Sequence, residues 1–167
     1  MKISLLNENK KPLRNRVEVF ATKNGKVYGG FYEDGSFGVF GGGLDGEAVA
    51  DAASREFEEE SGYKINNLNS LDLKPLEVEW DDQGGKKDDR KEKYRGTRTW
   101  MYVGELDDDG DKDKATGEDG QHHLKNVGLK DVDDAIESIE NNLNSNETIK
   151  KQQNLRIKAL RKIKNNI

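Results

Sequence analysis

The apolar patterns of this 167-residue chain run strands, helix, strands, helix, which predicts an α+β fold. Two observations carry that reading. Near the start, Val17, Val19 and Ala21 alternate with Glu18, Phe20 and Thr22, and an Asn24-Gly25 turn follows, the pattern of a hairpin. In the middle, Val49, Ala53 and Phe57 recur every four residues and Gly62 follows, the pattern of a helix closed by a left-handed residue.

The elements follow in order. Residues 1–14 are polar and read as an N-terminal arm, the main domain spans 15–142, and residues 143–167 form a C-terminal basic helix. The first strand turns at Lys23-Asn24-Gly25-Lys26, and Val27–Tyr32 returns as the second. Ser36–Phe40 is a short apolar strand running into Gly41, Gly42 and Gly43, and Glu47–Ser61 is the helix. Strand-like sequence resumes at Tyr63 and Ile65, again at Leu71–Trp80, and most clearly at Thr97–Leu106. Between them, residues 81–95 are almost all charged or glycine and read as an exposed loop, and residues 107–121 as a second, acidic one. Asp131–Asn142 fits a helix carrying Val132, Ile136 and Ile139, and Thr148–Ile167 fits another carrying Leu155, Leu160 and Ile163 against a basic face.

Composition bounds the chemistry. Hydrophobic residues make up 32% and charged residues 37%, so the core is small or part of the chain lies outside it. The net charge of −5 argues against a chain coated in nucleic acid. The absence of cysteine excludes disulfides, thiolate catalysis and cysteine zinc sites. No apolar run approaches a membrane span, and Ile3–Leu6 is too short for a signal segment, so a soluble, cytoplasmic setting is expected.

Residues 41–63 are the most informative stretch. Four of the five residues Glu56–Glu60 are carboxylates, and acidic neighbours at helical i,i+4 spacing repel. On a helix Glu56, Glu59 and Glu60 share one side, after a glycine-rich loop that lets backbone approach an ion or phosphate. Grouped hard oxygen donors of this kind suit Mg²⁺. Arg55 stands one step behind that face, in reach of Glu59 at i+4 or of Glu47.

The full register is Gly41, Glu47 after five residues, Arg55-Glu56-Phe57 after seven more, then Glu59-Glu60 and Gly62-Tyr63. It resembles the Nudix box of the Nudix hydrolases at every specified position, with Phe57 bulkier than the usual aliphatic residue. The resemblance implies an α/β/α sandwich with a mixed sheet. It implies hydrolysis of a nucleoside diphosphate linked to another moiety, with Mg²⁺ or Mn²⁺ as cofactor. By position, Glu56, Glu59, Glu60 and Gly41 match metal-binding positions, and Glu47, Arg55 and Gly62 match those that brace the loop–helix–loop. Catalytic candidates are then Glu59, Glu56 and Arg55. In the family the base is a box glutamate or an acid on a later loop, which here means Glu59, Glu118 or Asp119, with Glu59 preferred. The marks of the ADP-ribose, coenzyme A and NADH subfamilies are missing, so the resemblance leaves the substrate open.

Weaker signals lie outside the box. Trp80 ends a strand beside a charged loop and is the best candidate to stack a nucleobase, ahead of Trp100, Tyr102 and Phe40, which read as core. Arg95 and Arg98 are candidate substrate contacts, and His122-His123 read as a surface pair. Asp107, Asp109, Asp111 and Glu118 have calcium-loop spacing, but Lys112 occupies the position that needs glycine. The basic helix reads first as a docking helix, with a homodimer contact or an RNA contact through residues 148–167 as alternatives. An RNA 5′-end hydrolase and a non-catalytic nucleotide-binding module are accordingly the competing functions.

Overall fold

The computed structural model describes residues 11–80, 93–107 and 124–167. In chain order the elements are β1 (Leu13–Lys23), β2 (Lys26–Phe31), β3 (Phe37–Gly38), β4 (Phe40–Gly43), α1 (Val49–Ser61), β5 (Lys64–Ser70), β6 (Leu76–Glu79), β7 (Gly96–Asp107), β8 (Lys125–Asp131), α2 (Val132–Glu140) and α3 (Glu147–Asn166). All eight strands join one mixed sheet.

Two long strands form its spine. β1 and β7 run parallel in register from Leu13 beside Gly96 to Thr22 beside Glu105. Each shares its outer edge between two short antiparallel strands. β1 pairs β4 through Arg16–Val19 and β2 through Ala21–Lys23, while β7 pairs β6 near its start and β5 near its end. The β1–β2 turn places both Asn24 and Gly25 at positive φ, 53° and 74°, as an Asn-Gly hairpin turn requires.

Alternation along β1 divides the core. Val17, Val19 and Ala21 face α1 and pack with Ala52, Ala53, Phe57, Tyr28, Phe40 and Leu106. Phe20 faces the other way, into Met101, Val27 and Phe37 with Ile136 and Ile139 of α2 and Ile157, Leu160 and Ile163 of α3. The sheet thus lies between α1 on one face and α2 with α3 on the other, the α/β/α sandwich expected. Phe57 is fully buried and meets Tyr28 and Phe40 edge-on at 6.2 and 6.1 Å between ring centres, so its bulk fills an aromatic cluster.

Several boundaries differ from the sequence expectation. β1 begins at Leu13, inside the stretch read as an arm, because that residue already pairs with β7. Glu47 precedes α1 rather than opening it. Only Leu76–Glu79 of the expected strand Leu71–Trp80 is extended. β8 was missed, since its solvent-facing residues show no apolar alternation and its pairing with β2 is made by backbone. Among the described residues, no helix is long and apolar enough to cross a membrane.

α3 buries polar as well as apolar side chains. Its buried side includes Ile157, Leu160 and Ile163, but also Gln153 and Arg156. Gln153 ties down the link from α2, accepting from the Asn144 N–H at 2.8 Å and donating to the Asn142 carbonyl at 2.9 Å. Arg156, on a helix read as basic, points into the core.

Candidate active site

The site is built from the β4 glycines, the loop after them and the outer side of α1. Gly62 closes the helix in the left-handed conformation, φ 80°, with its N–H bonded to the Glu58 carbonyl. That fixes where the last turn ends and so where Glu59 and Glu60 stand.

Arg55 is the centre of the arrangement. Its Nη2 donates to Glu47 Oε1 at 2.6 Å and its Nε to Glu47 Oε2 at 3.1 Å. Nη1 lies 3.0 Å from Glu59 Oε2 and 3.1 Å from Glu56 Oε1. Nη2 also donates to the Gly43 carbonyl at 3.3 Å and lies 3.5 Å from Asp45 Oδ2. Arg55 thus makes both of the contacts that its sequence position allowed. Glu47 in turn accepts from the Asp45 N–H at 3.2 Å. Its hydrogen bonds from Arg55 hold the Glu47 carboxyl below its ordinary range, and the same bonds push Arg55 further up.

The remaining carboxylates divide. Glu60 accepts from the Gly41 N–H at 3.3 Å, so the predicted Gly41 and Glu60 meet directly. Glu58 is exposed and belongs to no part of the cluster. Glu56 is 14% exposed and lies against Gly42, where an added Cβ would strike its carboxylate. Burial pushes the Glu56 carboxyl up; Arg55 pulls it down, but the negative charge of Glu59 and Asp45 reinforces the burial and the net direction is upward.

Among the described residues, no three acidic or histidine side chains already converge on one point. Arg55 stands between Glu56 and Glu59 where a shared ion would need them both. The donor set nonetheless fits a hard divalent cation. It is all oxygen, its carboxylates outnumber Arg55, and burial disfavours the charge of Glu56.

The candidates outside the box have partners of their own. Arg98 Nε pairs with Glu77 at 3.0 Å across the β6–β7 ladder, and Arg95, just before β7, places Nη1 3.4 Å from Glu79. Trp80 follows β6 and is half-buried, its N–H bonded to the Arg95 carbonyl. Phe40 is core, and Trp100 and Tyr102 pack against the α1 side of the core, as read. An open groove of about 580 Å³ between β6 and α3, lined by Leu76, Leu143, Leu155, Lys158 and Arg161, contains none of the site carboxylates. Glu118, Asp119, His122 and His123 lie outside the described residues.

The residues that sequence reasoning missed are Glu18 and Arg156. Arg156 Nε donates to Glu18 Oε1 at 2.7 Å and Nη2 to Oε2 at 3.0 Å, with both side chains nearly sealed from solvent. A signal was present: Glu18 sits inside an otherwise apolar strand, and Arg156 precedes Leu160 and Ile163 by four and seven residues, on their stripe.

Comparison with known proteins places the fold. No curated protein matches the chain in sequence. Among solved structures, a NUDIX hydrolase from Nitrosomonas europaea superposes with a TM-score of 0.53 at 14% identity, covering 88% of this chain and 89% of its own. An ADP-ribose pyrophosphatase from Streptococcus suis gives 0.50 at 15% identity, covering 88% of each chain. A MutT NUDIX hydrolase from Burkholderia pseudomallei gives 0.49 at 19% identity, covering 74% and 86%. The model of the NUDIX domain matches residues 5–148, which include the whole loop–helix–loop and every contact of Arg55 described above. The chain belongs to the Nudix family of hydrolases, enzymes that cleave diphosphate bonds.

Proposed function

We propose that the protein is a divalent-metal-dependent pyrophosphohydrolase acting on a nucleoside diphosphate linked to another moiety, such as ADP-ribose, a dinucleoside polyphosphate or a damaged nucleotide. The observation that carries this is the surplus of carboxylate around Arg55. Asp45, Glu47, Glu56 and Glu59 share one guanidinium, and Glu60 stands beside them on Gly41.

Glu56, Glu59 and Glu60, with the Gly41 backbone, would hold Mg²⁺ or Mn²⁺. Bound there, the ion supplies charge neutralisation for the diphosphate and an acidified water. The chain's own residues do the rest. Arg55 and Glu47 lock the loop onto the helix, so the carboxylates are held before substrate arrives. Glu59, the most exposed of the three glutamates that Arg55 engages, is the base: it takes the proton of the attacking water. The water oxygen bonds to one phosphorus, the bridging P–O bond breaks, and the two halves leave as phosphates. Arg98 on β7 and, just outside the paired ends of β7 and β6, Arg95 and Trp80 are the proposed contacts to the rest of the substrate.

The RNA reading has less support. Of the basic side chains on α3, Arg156 is buried, Lys164 pairs with Asp133, Arg161 with Glu140 and Lys150 with Glu147. That leaves Lys151, Lys158 and Lys162, a sparse row for a phosphate backbone.

The test is a nucleotide screen with Mg²⁺ and Mn²⁺ and product identification by mass, including a 5′-triphosphorylated RNA. Cleavage of a small nucleotide at the diphosphate is expected. Binding without turnover under every condition would favour the non-catalytic module.

A further inference from the structure

α3 lies almost wholly beyond the stretch that the NUDIX model matches, yet it reaches the strand beneath the active site. Arg156 and Glu18 are 9% and 4% exposed and meet in a two-pronged pair. The guanidinium also faces the Tyr32 ring, 5.4 Å from its centre. A buried ion pair is rarely kept for stability alone, because well-packed apolar side chains of similar volume do as well or better. What such a pair supplies is fixed geometry: two parallel hydrogen bonds set the angle and the distance between the elements they join.

The strand so fixed, β1, is the ladder partner of β4, which carries Gly41. Glu18 is the register partner of Gly41 across the β1–β4 ladder. The two backbones approach so closely that a Cβ on Gly41 would run into Val17 and Glu18. Gly41 then holds Glu60 through its N–H. A continuous series of contacts therefore runs from Arg156 to Glu18, from Glu18 to Gly41, and from Gly41 to Glu60.

We propose that Arg156 and Glu18 are positioning residues of the active site: α3 sets, through them, where Gly41 aims Glu60, and thereby the affinity of the site for its divalent cation. The proposal rests on the functional reading given above. Neither residue touches the cation or the substrate.

The test uses the full chain and Mn²⁺ alone, without nucleotide, followed by calorimetry. The main variant is Glu18→Leu/Arg156→Met, which replaces both charges with apolar side chains and keeps the volume filled. Its melting temperature is expected to stay near that of the wild type while its Mn²⁺ dissociation constant rises about tenfold, the lower end of what support residues around a metal site contribute. Arg156→Lys, which keeps the charge but not the fork, should fall between the two. In turnover, the Mn²⁺ concentration for half-activation should rise with little change in kcat at saturating metal. A double variant that folds and binds Mn²⁺ as the wild type does overturns the proposal. So does a failure of both variants to fold, which would make the pair a requirement of folding only. If the wild type itself binds no Mn²⁺, the functional reading fails first.

Discussion

Two arginines organise this molecule, and they do opposite things. Arg55 lies at the surface of α1 among four carboxylates, three of them within 3.1 Å. Arg156 lies inside the sandwich with one carboxylate, each answering the other. The first cluster gathers four carboxylates on one guanidinium and is open, and the second pairs one with one and is closed. Local charge balance is what separates a site awaiting a ligand from a clamp. A surplus of one sign calls for a partner from solution, while a neutral buried pair calls for none.

The contrast can be broken first at the open cluster. Glu59→Gln should lower kcat/KM by about 10²–10⁴-fold, the range for loss of a general base. Its melting temperature should barely move, because Glu59 is 44% exposed. Unchanged hydrolysis would mean the base lies elsewhere.

At the closed pair the balance reverses. Arg156→Ala strands Glu18 in the core, and urea denaturation should show a loss of about 3–5 kcal/mol. A loss under 1 kcal/mol would show that water reaches Glu18 and that the pair is not sealed.

Acid titration sharpens the same comparison. Burial pushes the Glu18 carboxyl up, but the charge and hydrogen bonds of Arg156 outweigh it, so the folded value lies below the ordinary 4.5. A depressed carboxyl contributes stability that is complete above 4.5 and is lost as pH falls through the folded value. Stability measured from neutral pH downward should therefore fall less steeply below that point in the Glu18→Leu/Arg156→Met variant than in the wild type. Parallel curves would remove Glu18 from the acid limb.

The smallest effect on stability belongs to Arg98. Its pair with Glu77 is partly exposed, so Arg98→Ala should cost about 0–1 kcal/mol. As a proposed substrate contact it should raise KM on the nucleotide found by the screen. An unchanged KM would place recognition elsewhere.

The site was more legible than the sheet. Helical spacing is a local property, so Glu56, Glu59 and Glu60 could be set on one side of α1 and Gly62 at its end from their order alone. The hairpin at Asn24-Gly25 was legible for the same reason. The strands β5 and β8 were harder, because edge strands are held by backbone pairing and carry polar side chains such as Asn66, Asn69 and Lys125. Arg156 was missed because a basic residue in a basic helix draws no notice even on the apolar stripe until its partner is known.

By itself the sequence determined the loop–helix–loop, the order of its carboxylates and the family. Those depend on contacts within one turn or one short loop. The tertiary structure decided which carboxylates Arg55 engages and which one Gly41 holds. It also decided that Glu18 and Arg156, 138 residues apart, close against each other. That pairing depends on how a parallel sheet and its two helical layers stack, and no local pattern encodes it.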